Sequence, residues 1–222
     1  MSETSTLEAA PAAADAEHTI ADIMAVATSE FAEKGLAGAR IDEIAERTRT
    51  SKRMIYYHFK SKEGLYLAVI EEAYRKIRAI EAELDLEHLP PREALRALVG
   101  FTFEYQRANP DFIRLVMSEN IHKAEYLKKS KHIRRLNAPA IDALRGIYRR
   151  GLASGDFRPG IDPLDIHTSI SALSFFNVSN QYTFSLIFEH DVMAKEHVEQ
   201  RRRNVEDMVL RYVLRQPEQA HA

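Results

Sequence analysis

The residues with the most evident chemistry lie between Arg47 and Lys62. Six basic side chains stand there (Arg47, Arg49, Lys52, Arg53, Lys60, Lys62) with no acid among them. Tyr56, Tyr57, His58 and Phe59 are interleaved with them. Guanidinium and ammonium groups neutralise phosphates, and aromatic or hydroxyl-bearing side chains can make further contacts in a nucleic-acid groove. The whole chain hides this pattern. Its 222 residues hold 31 Lys+Arg against 33 Asp+Glu, a net charge of −2. The window alone is +6, so the remainder carries −8. That describes a basic patch on an acidic body.

Such a patch needs a scaffold. A helix that enters a major groove, about 12 Å wide, must be exposed on one side and buried on the other. Ile55 and Phe59, four apart, supply the buried side; Lys52, Arg53 and Tyr56 fall on the opposite arc. Ser51 is placed to cap this helix, which the pattern predicts to run to about Phe59. Before it, Ile41, Ile44 and Ala45 predict a short helix with Asp42 and Glu43 in its first turn. Thr48-Arg49-Thr50 breaks the chain between the two. Ile20, Ile23, Met24, Ala27 and Phe31 predict a longer helix ahead of both, stopped by Gly35. Ser61 caps a fourth, with Leu65, Val69, Ala73, Ile77 and Ile80 in steps of mostly four. Two short helices joined by a tight turn, the second basic and aromatic, form the layout of a helix-turn-helix. Tyr56 is assigned to the DNA face, and Tyr57 to packing against the fourth helix.

The rest of the chain reads as helices at about 92–108, 133–152, 165–188 and 192–215, with a shorter segment opened by Asp111. The clearest loop is Gly155 to Pro163. No stretch alternates with period two, so the expected class is all-α: an N-terminal three-helix DNA-binding domain and a C-terminal helical bundle. The expected organisation is a mobile tail at 1–17, the DNA-binding domain at 18–64 and a ligand-binding and dimerisation domain at 65–216.

Composition removes other classes. There is no Cys, hence no disulfide, thiol nucleophile or Cys-held metal; this suits a reducing compartment, and a cytoplasmic protein is expected. No apolar run reaches the roughly 20 residues of a membrane span. Residues 1–17 are Ala-rich and acidic, unlike a signal peptide. A Gly-rich phosphate loop, G-x-S-x-G and H-E-x-x-H are all missing, so an enzyme is not expected. Glu119 and His122 have Glu-x-x-His spacing, but the second pair that a di-metal bundle needs is absent, so neither metal nor cofactor is expected.

Three segments, in order and spacing, resemble the DNA-binding domain of TetR-family transcriptional regulators: Phe31-Ala32-Glu33-Lys34-Gly35, Ile41-Asp42-Glu43-Ile44-Ala45, and Tyr56-Tyr57-His58-Phe59-Lys60-Ser61-Lys62-Glu63. The resemblance covers about residues 19–70. It implies a homodimeric regulator, usually a repressor, that a small molecule releases from a near-palindromic double-stranded operator. Carried onto this chain, it puts Lys52, Arg53 and Met54 at base-reading positions and Tyr56 and His58 at groove or phosphate positions. Lys62 takes the phosphate contact that opens the fourth helix, and Arg40 the start of the second. Ser51, Arg49, Tyr57 and Lys60 complete the expected DNA-binding set. Two departures stand out. Arg40 replaces a small hydroxyl residue, and Arg49 stands where the turn often has Gly.

Candidates for the effector site are less marked. Asn177, Asn180 and Gln181 lie at i, i+3 and i+4 beside Phe176 in an apolar helix; they suit a pocket, a satisfied core network or a dimer seam. Phe101 and Tyr105, four apart, suit a pocket wall or plain core, and Glu119 and His122 a pocket lining or surface. The helices at about 165–215 are the expected dimer element. The competing readings are a helical dimer that binds DNA without any ligand, and an enzyme with an appended DNA-binding module.

Overall fold

The computed structural model describes residues 9–215, with side chains from Glu17 onward. The described residues form ten α-helices and a 3-10 turn, with no strand; one isolated antiparallel bridge joins Phe157 and Leu214. The expected all-α class is what is observed. The helices are α1 (Ala9–Gly38), α2 (Ile41–Arg47), α3 (Lys52–Phe59), α4 (Lys62–Ala82), α5 (Pro91–Ala108), α6 (Pro110–Ile121), α7 (Ile133–Ala153), α8 (Pro163–Ser179), α9 (Gln181–Phe188) and α10 (Lys195–Val213). They divide into two compact units. One takes the chain up to Ala73 together with Arg114–Ser130; the other takes Tyr74–Ile113 and the chain from Lys131 on. The expected tail at 1–17 lies partly outside the described residues. From Ala9 on, the backbone is already helical, as an Ala-rich stretch favours.

In the first unit, α1 breaks at Gly35 (φ +65, ψ 176), a conformation that glycine takes readily. Ile23, Ala27 and Phe31 of α1, Ile41, Ile44 and Ala45 of α2, and Ile55 of α3 are buried. Tyr66 of α4 is almost fully buried; its ring meets Phe31 edge-on at 5.1 Å and Tyr126 at 5.5 Å.

In the second unit, α5, α7, α8 and α10 pack on one another. Their core holds Leu95, Val99 and Phe103, Leu144 and Ile147, Ile166 and Ile170, and Val205, Val209 and Val213. The predicted loop at 155–163 is tied down at both ends. The Tyr148 hydroxyl donates to the Arg158 carbonyl (2.8 Å) and accepts from the Ile161 N–H (3.1 Å). Asp162 caps α8 by accepting from the Leu164 N–H (2.9 Å). Gly151 is required here, because a Cβ at that position would lie 2.0 Å from the Phe157 ring.

One element differs from expectation. The helix predicted at 165–188 is two helices, broken at Asn180. Three polar residues in a row, Ser179-Asn180-Gln181, stand at the break between apolar stretches. Local hydrogen bonds fix it: Asn180 Nδ2 donates to Ser179 Oγ (2.7 Å), and Gln181 Nε2 to the Val178 carbonyl (3.1 Å). Polar side chains that bond nearby backbone compete with a continuing helix.

Candidate nucleic-acid interface

The geometry of the reader follows from a few local choices. α2 ends when Arg49 takes a left-handed conformation (φ +51), and the Thr50 N–H closes back onto the Ala45 carbonyl at 3.0 Å. This is the position where glycine would be unstrained. Ser51 Oγ then accepts from the Met54 N–H (3.2 Å) and starts α3. Lys60, also at positive φ (+68), ends α3. Ser61 Oγ accepts from the Gly64 N–H (2.9 Å) and starts α4. The turn is so tight that a Cβ on Gly64 would lie 2.1 Å from the Phe59 carbonyl oxygen.

On α3, Ile55 alone is fully buried, and His58 and Phe59 are half-buried beside it. Lys52, Arg53, Met54, Tyr56 and Tyr57 are exposed. Tyr57 was expected to pack against α4 but is 67% exposed. Two residues past Ile55, it points some 200° around the helix from the buried side. Lys60 lies over the Tyr57 ring (5.4 Å) and donates to the Tyr57 carbonyl (2.7 Å). Lys62 Nζ donates to the Ala37 carbonyl (3.4 Å). Lys52 is ion-paired with Asp42 of α2. His58 turns its ring edge-on to Tyr57 at 5.1 Å, and its Nε2 is buried without a hydrogen-bond partner.

The Arg40 side chain does not cap α2. Its backbone N–H donates to Glu30 Oε1 (3.3 Å). Glu30, on α1, is almost fully buried, and its carboxylate also meets Lys34 at 2.9 Å and Arg47 at 3.5 Å. One carboxylate thus ties α1 to both ends of α2. Lys34 also pairs with Glu43, and the two carboxylates raise its ammonium pKa, the Glu43 bond most. Sequence reasoning missed Glu30. The available signal was an acid three residues past Ala27, next to Phe31, on the apolar face of α1.

The effector candidates are divided between the units. Glu119 and His122 lie in the reader unit. Glu119 Oε2 accepts from the Leu127 N–H (2.9 Å), its Oε1 is buried without a partner, and His122 is exposed. Tyr66, hydrogen-bonded to Ser118 (3.4 Å), has its hydroxyl pKa pushed up to about 12, by burial first and by Glu119 to a lesser extent. The other six candidates are in the second unit. Phe101 and Tyr105 (rings 5.8 Å apart) line a groove of about 440 Å³ with Arg75, Ala79 and Ile80. Phe176 is exposed and meets Phe184 edge-on at 5.7 Å; Asn177 is half-buried, and Asn180 and Gln181 sit at the α8–α9 break.

A short basic helix, exposed on one arc and set by a tight turn on two others, defines a helix-turn-helix DNA-binding protein. Comparison with known proteins gives the family. Residues 23–69 match the model described as bacterial regulatory proteins, tetR family, and residues 91–209 match the tetracyclin repressor-like C-terminal domain. The HTH-type transcriptional repressor NicS of Pseudomonas putida is 35% identical over 184 residues, 83% of this chain and 87% of that protein. The HTH-type transcriptional repressor SCO4008 of Streptomyces coelicolor is 29% identical over 65% of this chain and 75% of its own. A TetR-family regulatory protein from Rhodococcus RHA1 has the same fold (TM-score 0.69, 21% identity, 90% and 98% of the two chains). The chain belongs to the TetR family of transcriptional regulators. It is a DNA-binding regulator and not an enzyme. No helix among the described residues is long and apolar enough to cross a membrane.

Proposed function

We propose that the protein is a homodimeric, cytoplasmic repressor that a small molecule removes from a near-palindromic operator. The observation that carries the DNA reading is the surface of α3, where Lys52, Arg53, Met54 and Tyr56 are exposed together at the N-terminal end of a capped helix. In this reading Lys52 and Arg53 address base edges, Asp42 gives up Lys52 when DNA arrives, and Lys62 holds a phosphate at the start of α4. The Arg40 side chain, exposed beside the same helices, reaches a phosphate.

The dimer reading rests on α8 and α9. α8 leaves Leu164 and Phe176 exposed, and α9 buries none of its residues, leaving Tyr182, Leu186, Ile187 and Phe188 exposed. Exposed apolar side chains gathered on neighbouring helices mark an interaction site. A second copy covers them and sets two readers about 34–36 Å apart, one helical turn of DNA. α4 gives the coupling its route, since it is one continuous helix that begins in the reader unit and ends in the other.

Fluorescence anisotropy on the DNA upstream of the protein's own gene tests the proposal. The expected result is saturable binding that prefers this DNA over a scrambled duplex, with a log–log salt slope near −5 if about six phosphates are neutralised. Equal, unsaturable binding to both duplexes overturns it.

A further inference from the structure

The turn between α6 and α7 belongs to the reader unit, which takes in Arg114–Ser130. From Lys123 to Ser130 it carries three ammonium groups (Lys123, Lys128, Lys129) against one carboxylate (Glu125). All three lysines are exposed. The backbone beneath them is fixed. Lys123 and Ala124 both hold a left-handed conformation (φ +57 and +56) that costs an L-residue energy. The Ala124 N–H closes onto the Glu119 carbonyl at 2.7 Å. The Glu119 side chain, almost fully buried, accepts from the Leu127 N–H at 2.9 Å. Such strain persists only where the surroundings impose it, and it gathers at functional positions.

Three interactions lay the turn along the first half of α4. Ser130 Oγ donates to Glu71 Oε1. The Tyr126 ring meets Tyr66 edge-on at 5.5 Å. Lys129 reaches furthest toward the start of the helix, to Glu63. Bonds from the Glu63 N–H and the Ser61 hydroxyl hold that carboxyl below the usual carboxylate range, and the charges of Lys62 and Lys129 add to the effect. From Glu71 to Glu63 is about 12 Å along the helix axis. Lys129 also lies over the Tyr126 ring (4.8 Å), which anchors its side chain to the turn. The basic turn therefore stands beside the end of α4 that carries Lys62.

We propose that the turn between α6 and α7 is a second contact to the DNA backbone, in which Lys128 and Lys129 hold phosphates next to the one that Lys62 takes. This rests on the reading of α3 and the start of α4 as the DNA face. Lysine suits the task, because its ammonium group is a point charge on a flexible stem that binds phosphate without reading a base. Glu63 plays the part for Lys129 that Asp42 plays for Lys52, a nearby acid that phosphate replaces. The left-handed Lys123, held at the start of the same turn, adds a third positive charge to the field that DNA meets. The two contacts divide the work: α3 selects the sequence, and the turn adds affinity for any duplex.

The test uses the full-length protein and a turn variant, Lys128→Gln with Lys129→Gln. A control variant, Lys195→Gln with Arg203→Gln, removes the same two charges from the second unit. Anisotropy over a salt series is read on the operator DNA and on a scrambled duplex, with Tm beside it. The turn variant is expected to bind both duplexes at least about tenfold more weakly at about 0.1 M salt. Its log–log slope should be shallower by about 1.8, since each phosphate contact contributes about 0.9. Preference for the operator should remain, and so should Tm, because both side chains are exposed. Ethylation interference on the operator should lose about two phosphates per half-site in the turn variant and keep the rest. Three outcomes overturn the proposal: an unchanged slope, the same slope change in the control variant, or an unaltered interference pattern. If the wild-type protein binds the operator no better than the scrambled duplex, the reading of α3 fails instead. If it prefers the operator and the turn variant matches it in affinity and slope, this inference alone fails.

Discussion

Two exposed surfaces of this protein are built on opposite chemistry. The outer arc of α3 carries Lys52, Arg53 and Tyr56, side chains that water satisfies well until phosphate and base edges replace it. The outer side of α8 and α9 carries Leu164, Phe176, Leu186, Ile187 and Phe188, which water does not satisfy at all. A monomer accepts the first surface at little cost. It bears the second as exposed apolar area of the kind that marks an interaction site. The first suits a partner that comes and goes with salt and ligand, and the second a partner that stays.

The comparison breaks first on α3. Lys52→Ala with Arg53→Ala is expected to reduce specific operator affinity by roughly 100-fold or more, since a good base contact is worth about 1–3 kcal/mol. Binding to unrelated DNA should fall far less, as measured by anisotropy with specific and scrambled duplexes. Equal losses on both would make these residues phosphate contacts and leave base reading to Met54 and Tyr56. On the other surface, Leu186→Glu with Phe188→Glu should split the proposed dimer. Each apolar side chain buried in an interface contributes about 1.5–3 kcal/mol, so the dimer constant should weaken by at least about 100-fold. Sedimentation velocity reads this directly. A doubly substituted protein that still sediments as a dimer would place the interface elsewhere.

The two surfaces were not equally legible in the amino-acid sequence. The reader was, because its determinants are local. Ser51 and Ser61 cap within three residues, Arg49 marks the turn, and Ile55 and Phe59 repeat at helical spacing. The all-α class was legible for the same reason. The details of the second surface were not. Apolar residues recur on both sides of the polar triplet Ser179-Asn180-Gln181, and the turn at Asn180 comes from side-chain hydrogen bonds that a periodicity does not contain. Glu119, read from the sequence as pocket lining or surface, is buried in the reader unit and bonded to the Leu127 N–H, a placement that residue spacing does not show.

The scaffold that holds α3 in place has its most concentrated point at Glu30. Glu30→Gln keeps the shape but removes the charge that Lys34 and Arg47 face and weakens the acceptor for the Arg40 N–H. Bonds to a charged group contribute about 1.5–3 kcal/mol, so a loss of stability of about 2 kcal/mol is expected in denaturant melts. Operator affinity should fall with it, because α2 then loses the carboxylate that fixes both its ends. Unchanged stability would show that α2 is held by Ile41, Ile44 and Ala45 alone.

The smallest effect is the most discriminating. Arg49 holds a left-handed conformation that costs a non-glycine residue roughly 1 kcal/mol, and it does so inside the turn that sets α3. Arg49→Gly relieves that strain but makes the unfolded chain more flexible, so a net gain of no more than about 1 kcal/mol in stability is expected. If the guanidinium also meets a phosphate, the same substitution should reduce the log–log salt slope of operator binding by about one. The two readouts separate two reasons for having arginine there. A stabilised protein with an unchanged salt slope makes Arg49 a tolerated turn residue. A stabilised protein with a shallower slope makes the strain a cost accepted to place a sixth cation beside DNA, which extends the α3 surface into the turn that supports it.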